Sequence, residues 1–364
     1  MNQEQLRDRI QASLTLAGMG DALGAPTEQW SIDEIAATFG GLVTRFETPT
    51  PDTFAGVNGG LRAEVTDDAS QMYYLARALV SADGRLDQAG WVACLLDWVR
   101  TSPKAGFMGP STAGIVKALQ EGTDLATVGV IGQSRRKLTG MGTTNGSAMR
   151  VAPVGLIHPG DLTATCEQAF ITCLPSHDTE VAISAACSIA SAVSRALVSP
   201  DVPGALDDVL SAAVEGARRG EALARERARV VAGPRYLVRL EAALSIAMEA
   251  SDDLTFMREM EALIGNSVLA AESVPVAVGI VAYTRADPLR TIAIGASIGN
   301  DTDSIATMAG AIVGAWRGMD AVPGVLRAEF EAANRADFNL PALAAGLSTL
   351  AWRHLQEQRE RRHA

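Results

Sequence analysis

The sequence predicts an all-α fold, and three observations carry that prediction. Apolar residues recur at the 3.6-residue spacing of helices along most of the chain. Alternating apolar and polar runs long enough for strands are scarce. Alanine is abundant while aromatics make up only 5%, a composition that suits closely packed helices better than sheets. At 364 residues the chain exceeds the usual size of one core. The chemically suggestive segments nevertheless run from residue 20 to residue 304, so a single domain over residues 1–355 is the more economical arrangement. The tail 356–364 (QEQRERRHA) is expected to fray.

Taken in chain order, the first element of interest is Gly20-Asp21-Ala22-Leu23-Gly24-Ala25-Pro26-Thr27-Glu28, small residues with two acids. Asp21 reads as a cap or a partner within tight helix packing; Glu28 is either a surface acid or a base projecting into a cleft. Residues 47–60 (ETPTPDTFAGVNGG) form a long Pro/Gly/Thr/Asp loop. A helix follows Thr66-Asp67-Asp68, with Met72, Leu75, Ala76 and Leu79 on one face. Residues 102–111 (SPKAGFMGPS) and 139–146 (TGMGTTNG) are Gly-rich turns, and residues 145–155 (NGSAMRVAPVG) continue the second. Ser176-His177-Asp178-Thr179-Glu180 precedes an Ala-rich helix. His177 is the one histidine considered for substrate contact, although a helix cap is the plainer reading. Residues 199–204 and Gly233-Pro234 punctuate the middle, and the mixed charges of residues 218–229 read as a solvated helix face. The last strong element follows Asp301-Thr302-Asp303-Ser304, with Ile305, Met308, Ala309, Ile312, Val313 and Trp316 on one face. Gly310 and Gly314, four apart on it, predict close approach of a neighbouring helix.

The charge and the N-terminal residues argue against several classes. A formal charge of −11 argues against nucleic acid, whose binding rests on neutralising phosphates. The N-terminus MNQEQLRDRIQ lacks the apolar core of a signal peptide. Residues 181–198 are broken by serines and Arg195, so a buried core helix is expected rather than a membrane span. Cys94, Cys166, Cys173 and Cys187 lack CxxC spacing and read as buried free thiols in a cytoplasmic, reducing compartment.

Two acidic clusters carry the chemistry. Each alone is most simply a helix N-terminus, where Thr, Ser and Asp are favoured caps. Together they offer more acceptors than capping needs. If both helix starts face one cleft, carboxylates at about 4 Å repel by about 4 kcal/mol per pair at an effective dielectric near 20, and protons or a cation must compensate. Carboxylates with hydroxyls form a hard, all-oxygen donor set suited to Mg²⁺, Mn²⁺ or Ca²⁺; with no His or Cys beside them, zinc is disfavoured.

Five segments in this order, GDALGAPTE, TDDASQM, NGSAMRVAPVG, SHDTE and GNDTDSIATMAGAIVGA, resemble the ADP-ribosylglycohydrolase family, which includes the dinitrogenase reductase-activating glycohydrolases, the ADP-ribosyl-acceptor hydrolases and the J1 crystallins. The resemblance covers roughly the first four-fifths of the chain. It implies a compact orthogonal multi-helix bundle and a pair of Mg²⁺ or Mn²⁺ ions. The implied ligands are Thr66, Asp67, Asp68, Asp301, Asp303 and Ser304, with Glu28, Asp68 and Asp303 as the catalytic set. Gly109, Ser111, Gly142, Thr143, Asn145, Gly146 and His177 are implied to hold the substrate. Three positions depart from the pattern: Asn300 stands where Gly is usual, Ser304 where Thr is usual, and Ala69 where Thr is frequent. The opening, MGPST and NGSAMRVAPVG stretches look closer to a bacterial branch associated with sugar and nucleoside catabolism than to arginine-specific members.

The implied reaction is hydrolysis of a glycosidic bond to ribose, with positive charge developing at the anomeric carbon. The substrate is a ribosylated small molecule or an ADP-ribosylated protein, with no nucleic acid or membrane partner; the oligomeric state is left open. A metal-dependent phosphohydrolase and a non-catalytic, crystallin-like binding protein are the alternatives.

Overall fold

The computed structural model describes residues 1–134, 136–202 and 204–363. Among them 68% are helical, in 18 α-helices, three short 3₁₀ turns and one π-helical turn, and no sheet is present; the extended contacts are three isolated bridges. The all-α expectation holds. The reason is local: long runs of Ala, Leu, Ile and Val at helical spacing are bounded by Asp, Ser, Thr and Asn caps, among them Asn2, Ser31, Asp87, Asp161, Thr179, Asp252 and Asp287, each accepting from a backbone N–H in the first turn.

Two helices from opposite ends of the chain form the centre. Helix Gln3–Gly24 is buried from Ala12 onward, and helix Thr302–Arg317 is buried from Thr302 through Trp316. The sequence predicted one apolar face on the latter; the structure encloses it on all sides. Gly310 and Gly314 do permit the expected close approach, and the neighbour is the opening helix: a Cβ on Gly310 would lie 2.6 Å from the Leu16 carbonyl oxygen, and one on Gly314 would overlap that of Ala12. The interlock is reciprocal. A Cβ on Gly20 would overlap the Ala306 carbonyl, and one on Gly24 would lie 2.5 Å from the Asp303 nitrogen. Backbone-to-backbone contact therefore sets how near Asp21 stands to Asp303.

Helix Glu180–Val198 is apolar enough to cross a membrane, but 89% of its most apolar window is buried inside the fold, as expected of a core helix. One hydrophobic cluster runs from Leu6 to Ala351. Cys166, Cys173 and Cys187 are buried and Cys94 half-buried, all as free thiols. Residues 47–60 are irregular apart from the short helix Phe54–Val57. The segment from 356, expected to fray, continues helix Leu340–His363; Ala364 lies outside the described residues.

Candidate functional site

The two acidic clusters converge. Glu28, Asp67, Asp68, Asp301, Asp303 and Ser304 line one cavity of about 310 Å³, a size that suits a small ligand. Their convergence follows from an arrangement at the helix starts. Thr66 precedes helix Asp67–Ser81, yet among the described residues its side chain does not cap that helix. Asp21, from the opening helix, does so instead: its carboxylate accepts from the Thr66 N–H at 3.0 Å, from Thr66 Oγ1 at 2.8 Å and from the Ala69 N–H at 2.9 Å. With capping supplied from elsewhere, Asp67 and Asp68 are free to face the cavity. Asp301 likewise leaves its own helix without a side-chain cap, and accepts from Asn145 Nδ2. Capping, the plain reading of these clusters, is thus not how they are used.

Glu28 is fixed by the turn around it. The Gln29 N–H donates to the Asn300 carbonyl at 2.6 Å and the Asn300 N–H to the Trp30 carbonyl at 2.8 Å. Asn300 sits at φ +59°, in the left-handed region that Gly favours and Asn tolerates better than other side chains. This explains how Asn replaces the usual Gly without disturbing the acidic loop.

The electrostatics are those of a site short of positive charge. Burial, then repulsion from Asp303, pushes Asp21 and Asp301 up to about 7 and Glu28 up to about 10. The same causes raise Asp67 and Asp68 well above the usual carboxylate range, and burial brings Asp303 to about 6. Asp68 Oδ2 is buried without a hydrogen-bond partner among the described residues, which a cation or a proton would remedy. The donor chemistry therefore fits a hard divalent cation. No three Asp, Glu, His or Cys side chains among the described residues close to ligating distance by themselves, so a cation would also draw on Ser304, Thr66 and water. Thr66 is the least direct of the expected ligands: its hydroxyl hydrogen is directed at Asp21.

The expected substrate residues divide. Gly109, Ser111, Asn145 and Gly146 line the cavity. Gly142, Thr143 and His177 are not part of its wall. Gly142, at φ +75°, turns its carbonyl to accept from Thr179 Oγ1 at 2.6 Å, and the Thr143 carbonyl accepts from the Ala270 N–H at 2.9 Å; both anchor the loop. His177 is fully buried behind Gly146, where a Cβ would lie 2.9 Å from the imidazole, and Thr179, not His177, caps the following helix. Wall positions outside the expected set include Thr112, Val268 and Thr144, the last within the 139–146 turn already singled out. Also missed were Gln71 and Arg150. Gln71 Nε2 donates to Asp67 Oδ2 at 3.0 Å, and Arg150 Nη1 donates to Gln71 Oε1 at 2.6 Å. Each left a signal: Gln71 is four residues from Asp67 on one helix, and Arg150 is a lone charge in an apolar run. Phe54 and Phe107 add an aromatic side to the cavity.

The ADP-ribosylglycohydrolase family profile matches residues 2–360. The chain is 31% identical over 340 residues to the uncharacterized protein YegU of Escherichia coli (strain K12), covering 93% of this chain and 96% of that one. It is 27% identical over 339 residues to the Homo sapiens ADP-ribosylhydrolase ARH3, covering 86% and 87%. Among solved structures, a chain of an ADP-ribosylglycohydrolase-related protein complex superposes with a TM-score of 0.64 at 20% identity, covering 96% of this chain and 99% of that chain, a likeness of fold.

Proposed function

The chain belongs to the ADP-ribosylglycohydrolase family, and on that premise we propose that it is a divalent-cation-dependent hydrolase cleaving the glycosidic bond between a ribose, ADP-ribosyl or nucleoside-like, and its acceptor. The observation that supports this most is the meeting of Asp67 and Asp68 with Asp301 and Asp303 at one cavity, not spent on capping and short of positive charge. Asp67, Asp68, Asp301, Asp303 and the hydroxyls of Ser304 and Thr66 would hold two Mg²⁺ or Mn²⁺ ions. When bound, such ions supply Lewis acidity and orient sugar hydroxyls and water.

The chain's own residues do the rest. Glu28 lies in the cavity wall, and its carboxyl is held protonated by burial and by Asp303, Asp301 and Asp67. Once those charges are compensated it can ionise and take a proton from the attacking water, a role that typically contributes about 10²–10⁴-fold. Asp68 and Asp303 set the negative field facing the developing positive charge at the anomeric carbon. Ser111 and the loop at Asn145 and Gly146 bind the ribosyl part, and Phe54 and Phe107 offer an apolar surface to the rest of the substrate. The relatives named ADP-ribosylhydrolase support the ADP-ribosyl side, and the four free thiols agree with a cytoplasmic location.

The test is a riboside panel (ADP-ribosyl-arginine and -serine peptides, ADP-ribose conjugates and free nucleosides) incubated with Mg²⁺ or EDTA, with products read by mass spectrometry. A freed aglycone with Mg²⁺ and none with EDTA is expected, and Asp303→Asn should abolish calorimetric Mg²⁺ binding and turnover together. Turnover that survives both the substitution and the chelator would overturn the proposal.

A further inference from the structure

Arg150, Ser176 and His177 are enclosed behind the cavity wall, and enclosed polar groups are costly unless each hydrogen finds an acceptor. Here that requirement fixes the direction of a hydrogen-bond chain. The Arg150 guanidinium can only donate: Nη1 to Gln71 Oε1 at 2.6 Å and Nη2 to Ser176 Oγ at 2.9 Å, while its Nε has no acceptor among the described residues. The Ser176 hydroxyl hydrogen then has one acceptor among the described residues, His177 Nδ1 at 2.7 Å. Burial, then Arg150, holds the imidazole pKa well below its ordinary range, so the ring is neutral. A neutral ring whose Nδ1 accepts carries its hydrogen on Nε2, and Nε2 stands 2.9 Å from Thr144 Oγ1. Thr144 Oγ1 accepts that hydrogen, which leaves its own hydroxyl hydrogen unassigned at the cavity wall. The backbone holds it there: the Ala270 N–H donates to the Thr143 carbonyl at 2.9 Å and the Asn145 N–H to the Val268 carbonyl at 2.8 Å.

We propose that Thr144 is a specificity-determining hydrogen-bond donor to an oxygen acceptor of the substrate, and that Arg150, Ser176 and His177 are positioning residues that fix this polarity. Arg150 serves both sides of the cavity. By engaging Gln71 Oε1 it also directs the Gln71 amide hydrogen to Asp67. The group recognised at Thr144 is an acceptor oxygen of a phosphate, ether or hydroxyl, and the choice of ADP-ribose as probe rests on the ribosyl-hydrolase reading.

Two measurements on the full chain test the proposal. Imidazole ¹⁵N spectra without ligand should show His177 as the Nε2–H tautomer, with Ser176→Ala producing a tautomer mixture; a wild-type Nδ1–H tautomer overturns the polarity. Calorimetric titration of ADP-ribose in Mg²⁺ should show Thr144→Val weakening binding about tenfold, with Thr144→Ser restoring it and Mg²⁺ affinity unchanged. Ser176→Ala should weaken binding on its own yet add nothing in the Thr144→Val background. Additive losses, or wild-type affinity in Thr144→Val, overturn the relay. Failure of ADP-ribose to bind the wild-type protein counts against the proposed function instead, and the tautomer spectra then uphold or overturn the relay unaided.

Discussion

Asp21 shows how much one side chain organises. It caps a helix to which it does not belong, and so leaves Thr66-Asp67-Asp68 available to the cavity. The resulting repulsion has a pH signature. Asp21 and Asp301 titrate near 7 and Asp303 near 6 when folded, against 3.8 ordinarily. Between about pH 4 and 7 the folded chain therefore holds protons that the unfolded chain has released, and stability falls as pH rises. Mg²⁺ competes with protons for the Asp301 and Asp303 oxygens and binds more tightly as pH rises. Urea midpoints in EDTA should drop from pH 5 to pH 7.5, while the gap between Mg²⁺ and EDTA widens; a flat EDTA series would show that the carboxylates are not coupled in this way. At this scale the acidic clusters were legible in the sequence, because hydroxyl–carboxylate runs at helix starts are local. Asp21 was legible as a cap, but the helix it caps and the placing of His177 behind Thr144 were not, since both depend on residues more than 30 positions apart meeting in space.

Among the elements, the glycine interlock of helices Gln3–Gly24 and Thr302–Arg317 decides the site's dimensions. The four-residue spacing of Gly310 and Gly314 announced a close neighbour but not which one, because periodicity describes a helix's own faces and not what covers them. The interlock also separates stability from function. Gly314→Ala, at the end far from the cavity, should cost about 1–3 kcal/mol through overpacking and leave Mg²⁺ affinity near wild type. Gly24→Ala, whose Cβ would meet the Asp303 backbone, should cost a similar amount and also weaken Mg²⁺ binding. Urea unfolding combined with Mg²⁺ calorimetry separates the two, and equal Mg²⁺ affinities in both variants would show that the interlock does not set the site's dimensions. Asn300 belongs at this scale as well: its left-handed backbone, paired with Gln29 and Trp30, joins the Glu28 turn to the start of the closing helix.

The whole molecule is tied together at the cavity, so a cation there should be felt globally. With Mg²⁺ at about 100 times its Kd the folded state gains about 2.7 kcal/mol for each ion bound. For a chain of 364 residues, at about 2.1 cal/mol/K of unfolding entropy per residue, that raises Tm by about 3–4 °C. Melts in Mg²⁺ and EDTA should differ by this amount for each ion bound, and Asp303→Asn should erase the difference. Pairing the first helix with one of the last also bears on biosynthesis. At about 5–20 residues per second, the ribosome takes roughly 15–55 s to pass from residue 24 to residue 302. For that interval the Leu- and Ala-rich nascent segment has emerged without its mate, exposed to whatever holdase captures greasy stretches of newborn polypeptide.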